Sequence, residues 1–153
     1  MIELDEIDRK ILNILLKDAR TSYSQIARQC GLSGAAIHQR IAKLKMNHVF
    51  RTSQIQLSPK GIGYTTCAFI GIQVNLINEK THEEVFNKIK DIPEITECHH
   101  ITGKYSLMAK IYTKNNEDLK RILVEEIQSI VEVVGTETFI SLEEGFSRQL
   151  PLG

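Results

Sequence analysis

Gln39 and Lys43 share one side of a helical stretch with Ala35, Ala36 and Ala42. A glutamine amide can pair with adenine edges, and a lysine ammonium can reach guanine or phosphate. The small alanines let a helix backbone approach a groove closely. His38 and Lys45 lie on one flank and Arg40 on the other, placed for phosphates or for a helix packed beside them. Ser33-Gly34 opens this helix, and Ser22-Tyr23 opens the one before it. Free backbone amides at such starts bind phosphate without a charged side chain. Gln39 and Lys43 are the better base-reading pair. The angle of Arg40 also suits a structural role.

The charge around these residues is one-sided. Between Asp18 and Glu79 there is no Asp or Glu, while Arg20, Arg28, Arg40, Lys43, Lys45, Arg51 and Lys60 all fall there. Residues 1–60 carry ten basic and five acidic residues, net +5. Residues 61–153 carry nine basic and fourteen acidic, net −5, so the whole chain is neutral. An ordinary surface mixes both signs. A basic front on a neutral chain suits a polyanion, and double-stranded DNA is the partner implied. The bland alternative is a solvated face on a small helical bundle.

The elements that must position these side chains follow from periodicity. Leu4, Ile7, Ile11, Ile14 and Leu15 have helical spacing, and Asp5 can cap their start. Ser22 and Gln25 form a capping box for a second helix, with Tyr23, Ile26, Ala27 and Cys30 inward. Gly31 supplies its left-handed stop, and Ser33 caps a third helix running to about Met46 with Ile37, Ile41 and Leu44 facing the core. Two short helices joined by Gly-Leu-Ser have helix-turn-helix spacing. Val49–Leu57 alternates and reads as a solvated strand or wing, and Ser58-Pro59-Lys60-Gly61 breaks the chain.

The second half alternates strand and helix. Ala68, Ile70, Ile72, Val74 and Leu76 keep strand period. Thr81-His82-Glu83-Glu84 reads as a capping box opening a helix. Ile95–Ile101 and Tyr105–Tyr112 read as strands around a short turn, followed by a helix over Asn116–Ile130 and a strand over Thr136–Leu142. The order β-α-β-β-α-β is the ferredoxin-like arrangement. The fold class expected is α+β: a winged helix-turn-helix domain over 1–50, a linker strand and turn over 51–63, and a ferredoxin-like domain over 64–153.

Other chemistries find little support. The 153 residues, 42% hydrophobic, suffice for one ordinary domain or two small ones. Cys30, Cys67 and Cys98 are odd in number and widely spaced, which argues against a disulfide framework. The N-terminus is acidic and lacks a signal-peptide pattern, and no stretch approaches the roughly 18 apolar residues of a membrane helix, so a cytoplasmic protein is expected. Cys98 and His100 could face one way as half a metal site, but two ligands are too few. Gly61-Ile62-Gly63 opens no helix and is no dinucleotide loop. No catalytic set has supporting context, and no enzyme, cofactor or metal is expected. Thr102-Gly103-Lys104-Tyr105-Ser106, with His100 before it and Gln128 elsewhere, offers amides, hydroxyls and a cation. Taken alone it is a polar hairpin.

Several stretches together resemble the Lrp/AsnC family of transcription regulators. They are Leu4–Leu12, Asp18–Tyr23, Ile26-Ala27, Gly31–Ser33 and Arg40–Leu44, then Ser58–Lys60, Gly63-Tyr64, Thr102–Ser106 and Thr136–Leu142. The second-half stretches look closest to the AsnC branch, and the match runs in register over essentially the whole chain. The resemblance implies a homodimer through the regulatory sheets, assembly into an octamer, and an amino acid effector, asparagine-like by branch. It also implies that His100, Thr102, Gly103, Lys104, Tyr105, Ser106 and Gln128 line the effector site. Three positions depart from the family pattern. Gly34 stands where proline is common, and Ser106 stands where many members have Asp. Met46-Asn47-His48 replaces the usual glycine, so Asn47 or His48 must turn left-handed, Asn47 being the better candidate. The reading implied is an amino-acid-responsive, sequence-specific regulator. Its rival is a ligand-binding oligomeric module that organises DNA without gene specificity.

Overall fold

The computed structural model describes residues 3–50, 55–75 and 79–152. The chain forms two compact units, one of Met1–Gln56 with Phe146–Gly153 and one of Leu57–Gly145.

Unit 1 holds three helices, α1 (Glu6–Lys17), α2 (Tyr23–Cys30) and α3 (Gly34–Met46). Each start is capped as its sequence predicts. Asp5 accepts from the Asp8 amide at 2.7 Å and Ser33 from the Ala36 amide at 3.2 Å. Ser22 and Gln25 cap each other reciprocally. Gly31 turns left-handed at φ 67°, and the Leu32 amide bonds the Ala27 carbonyl at 3.0 Å, ending α2. Ile11, Ile26, Ala27, Ile37 and Ile41 form the core where the helices meet. Leu44 is buried as well.

Two expectations for this unit are corrected. His48, not Asn47, takes the left-handed turn after α3, at φ 54°. The Asn47 amide side chain instead donates to the Lys43 carbonyl at 2.8 Å. The His48 amide bonds Lys45 and the Val49 amide bonds Leu44, each at 3.0 Å, a double cap that needs its left-handed residue one place later. The expected strand does not appear at Val49, Phe50 or 55–57; residues 51–54 of it lie outside the described residues. Ile55 and Leu57 are exposed, and no strand of this chain pairs with them among the described residues. An alternating sequence without a ladder partner does not make a strand.

Unit 2 contains β1 (Thr66–Val74), α4 (Glu79–Lys90), β2 (Ile95–His100), β3 (Leu107–Thr113), α5 (Asn116–Arg121) and β4 (Val133–Ser141). The sheet is antiparallel in the order β2-β3-β1-β4, the ferredoxin-like arrangement the sequence predicts. Ala68, Ile70 and Ile72 of β1 are fully buried against Val85, Ile89, Leu119, Ile122 and Ile127 from the helical layer. The alternate residues of β1 and β4 leave Phe69 and Phe139, partners in register, half-exposed on the opposite face.

Helix α4 begins at Glu79, two residues before the predicted cap. Thr81 is therefore inside the first turn, with a buried side chain. The predicted helix over Asn116–Ile130 is also interrupted. After Arg121 it widens into a π-helical stretch, Ile122–Ile127, and the Gln128 amide bonds the Leu123 carbonyl at 2.9 Å. Bonding across five residues returns Ile122 and Ile127 to one face, and both are fully buried.

Candidate nucleic-acid interface and effector hairpin

The core-facing row of α3 is Ile37, Ile41 and Leu44, so rotation by helical period puts Ala35, Gln39, Ala42 and Lys43 in solvent. Lys43 and Lys45 have no ion-pair partner among the described residues, and Gln39 has no side-chain hydrogen bond there. His38 is exposed but not free of contacts: its ring meets the Tyr23 ring edge-on, centroids 5.5 Å apart. Tyr23 itself packs partly into the core. At the start of α3, Ser33 satisfies the Ala36 amide with its side chain and the Ile37 amide with its carbonyl. The amides of Gly34 and Ala35 precede these and are the ones left for an outside anion. Ser22 Oγ is engaged within its own cap, 3.0 Å from both Ser24 Oγ and Gln25 Oε1.

Arg40 stands apart from the other cations. Its Nη1 donates to Asp5 Oδ2 at 2.6 Å and to Asp8 Oδ1 at 2.8 Å. The guanidinium and the Asp8 backbone amide together hold the Asp5 carboxyl below the usual range, the amide contributing more. Arg40 thus ties α3 to the capped start of α1, while Lys43 and Lys45 pair with no acid among the described residues. The acids that cancel its charge, Asp5 and Asp8, lie outside the acid-free interval, on the neighbouring helix start that the sequence also offered as its partner.

The second candidate site is the loop between β2 and β3. Gly103 sits at φ 119°, a conformation that favours glycine. The Ile101 amide bonds the Ser106 carbonyl at 3.1 Å, and the Ser106 amide bonds the Ile72 carbonyl at 2.9 Å, so the loop is pinned to β1. Thr102 and Gly103 are exposed at its tip. Lys104 Nζ and Tyr105 Oη both donate to Glu137 Oε2 of β4. Glu137 falls in the Thr136–Leu142 stretch, but sequence reasoning gave it no place at the hairpin; its position opposite Gly71 in the β1–β4 register is what brings it to the loop.

The remaining predicted effector residues are dispersed. His100 turns to α4, stacking on His82 with centroids 4.3 Å apart and on Phe86 at 4.8 Å. Partial desolvation, then the neighbouring His82, lower its pKa. Gln128 Nε2 donates to Thr136 Oγ1 at 2.8 Å, which joins the end of the π-helical stretch to β4. Among the described residues, neither side chain bonds to residues 102–106. Cys98 packs against the core, and burial pushes its thiol pKa up.

Comparison with known proteins matches both halves. Residues 4–45 fit the AsnC-type helix-turn-helix domain, and residues 67–150 fit the Lrp/AsnC ligand binding domain. The chain is 34% identical over 150 residues to the Regulatory protein AsnC of Haemophilus influenzae, covering 98% of this chain and 99% of that one. It is 35% identical over 147 residues to the protein of the same name from Escherichia coli K12, covering 96% and 95%. The HTH-type transcriptional regulator FL11 of Pyrococcus furiosus is 38% identical over 140 residues, covering 92% and 90%. The solved E. coli AsnC structure superposes with a TM-score of 0.90 at 34% identity, over 97% of this chain and 99% of that one. A Neisseria meningitidis transcriptional regulator solved with L-Met shares the fold, with a TM-score of 0.90 at 22% identity over 98% and 97%.

Proposed function

Because this chain belongs to the Lrp/AsnC family, we propose that α3 reads a specific operator and that the hairpin of unit 2 senses a small, asparagine-like amino acid. The protein is a helix-turn-helix transcription regulator with a ligand-binding domain. What carries the operator reading is the exposed surface of α3, where Gln39 and Lys43 stand unpaired among the described residues in an interval without acids. Gln39 and Lys43 contact base edges; Lys45, His38 and the amides of Gly34 and Ala35 contact phosphates. Binding weakens steeply with salt, because phosphate charge dominates affinity.

The amino acid class is supported by the name shared by the Haemophilus and Escherichia relatives and by the methionine held in the Neisseria protein. The half-exposed aromatic face of Phe69 and Phe139 suits a second copy, and dimers then build larger rings. A two-fold dimer presents two reading helices to half-sites about one turn of DNA apart. The cytoplasm, where the DNA lies, is the place of action.

A thermal-shift screen against the twenty amino acids, followed by operator titrations with and without the responder, tests this reading. A ligand at 100 times its Kd stabilises by about 2.7 kcal/mol. One selective responder that alters operator affinity is expected. Silence across the panel with intact DNA binding would favour a DNA-organising protein instead.

A further inference from the structure

Two glycines hollow the exposed sheet face where the hairpin lies. A Cβ on Gly71 would come within 2.7 Å of the Tyr105 ring, and a Cβ on Gly135 within 2.8 Å of Gln73 Oε1. The two are staggered on neighbouring strands: Gly71 stands opposite Glu137, and Gly135 opposite Gln73. The Gln73 amide side chain donates to the Lys104 carbonyl at 3.3 Å. Side chains have therefore been removed from the sheet where the hairpin's Lys104 and Tyr105 settle. At that place Glu137 holds an ammonium and a phenol on one carboxylate oxygen.

An amino acid effector needs an acceptor for its ammonium. The hairpin Thr102–Ser106 has no carboxylate of its own, and Ser106 spends its hydroxyl and amide on β1. The carboxylate that reaches the hairpin is Glu137. Resting on the effector reading above, we propose that Glu137 is the ammonium acceptor of the site and that Lys104 stands in for the ligand's ammonium while the site is empty. On binding, the ligand's ammonium takes Glu137, and the displaced Lys104 turns to the ligand's carboxylate. The exchange is easy because the resting pair is exposed, with side chains 64% and 44% accessible, and exposed ion pairs contribute little. Lys104 and Tyr105 also keep the Glu137 carboxyl below its ordinary pKa, so it is ionised whenever a ligand arrives.

The test compares L-asparagine with succinamate, which is asparagine without its amino group, by calorimetry. Wild type should bind asparagine at least about tenfold tighter, as a charge-assisted bond requires. Glu137→Gln should erase that ratio and leave succinamate binding as it was. An unchanged ratio in Glu137→Gln, or equal binding of both ligands by wild type, overturns the proposal while the effector reading stands. Failure of wild type to bind either ligand overturns both together. Should Glu137→Gln bind neither, Glu137→Asp decides: it keeps the charge, and recovery of the ratio supports the acceptor role, whereas no recovery refutes it.

Discussion

Arg40 Nη1 lies 2.8 Å from Asp8 Oδ1, and the Asp8 side chain is only 5% accessible. The same Asp8 side chain accepts from the Asp5 amide at 3.4 Å. One guanidinium of α3 thus closes the cap of the first helix. Asp8→Ala leaves Arg40 with one partner and the cap half made, and should cost about 1–3 kcal/mol in urea unfolding. A second measurement separates Arg40 from the DNA contacts. Arg40→Gln should lower stability but leave the slope of log affinity against log salt unchanged. Lys45→Gln, at a phosphate-facing position, should reduce that slope by about 1. Equal loss of slope in both variants would make Arg40 a phosphate contact.

Gln39→Ala combined with Lys43→Ala should abolish the preference for operator over shuffled DNA. Each base contact is worth about 1–3 kcal/mol of discrimination. Non-specific binding at low salt should survive, because Lys45 and the amides of Gly34 and Ala35 remain. A titration in which the preference persists would put the reader elsewhere than α3.

The two ends of α3 can each be improved by one substitution. Gly34 is the first helical residue, Ser33 before it is extended at ψ 153°, and a Cβ on Gly34 meets nothing within 4 Å. Gly34→Pro should therefore fit and stabilise by about 0.4–1 kcal/mol. It also deletes an exposed amide, so a fall in DNA affinity would mark that amide as a phosphate contact. His48 holds φ 54°, a left-handed conformation that glycine adopts at less cost than a residue with a Cβ. His48→Gly should raise stability by about 0.5–1 kcal/mol, and a loss on thermal melting would mean the imidazole makes compensating contacts.

The stacked imidazoles of His82 and His100 give unit 2 an acid limit. The pKa of His100 is lower in the folded chain than in the unfolded one. The unfolded chain therefore binds more protons between the two values, and stability rises with pH across that window. Stability should be full above about pH 6.5 and fall as pH drops toward the folded pKa. His100→Gln should flatten this stretch of the pH–stability profile, measured by denaturant midpoint. A profile that stays sloped in the variant would assign it to another group.

Sequence carried the helical unit almost completely, since caps, glycine and apolar period agreed at Asp5, Ser22, Gly31 and Ser33. The failures share a physical cause. Thr81, His48 and the π-helical stretch are places where packing or backbone bonding overrides a local preference. Thr81 has the residue type of a cap but is drawn into the core. His48 turns left-handed because Asn47 is held by Lys43. Ile122 and Ile127 are five apart, a spacing that no α-helical template rewards. Glu137 became visible only through strand register, since nothing in its neighbours along the chain links it to residues 104 and 105.

The chain passes between the units twice, after Gln56 and again after Gly145, because Phe146–Gly153 belongs with unit 1. The carbonyl of Leu152 accepts from the Arg9 guanidinium, so the returning segment is fastened to the first helix. In covalent terms unit 2 is an insert carried on two tethers. A cut at Gly145 would leave every element of unit 2 intact while turning the double tether into a single one. Such a nicked protein would report how much of the coupling between ligand and DNA depends on the second crossing.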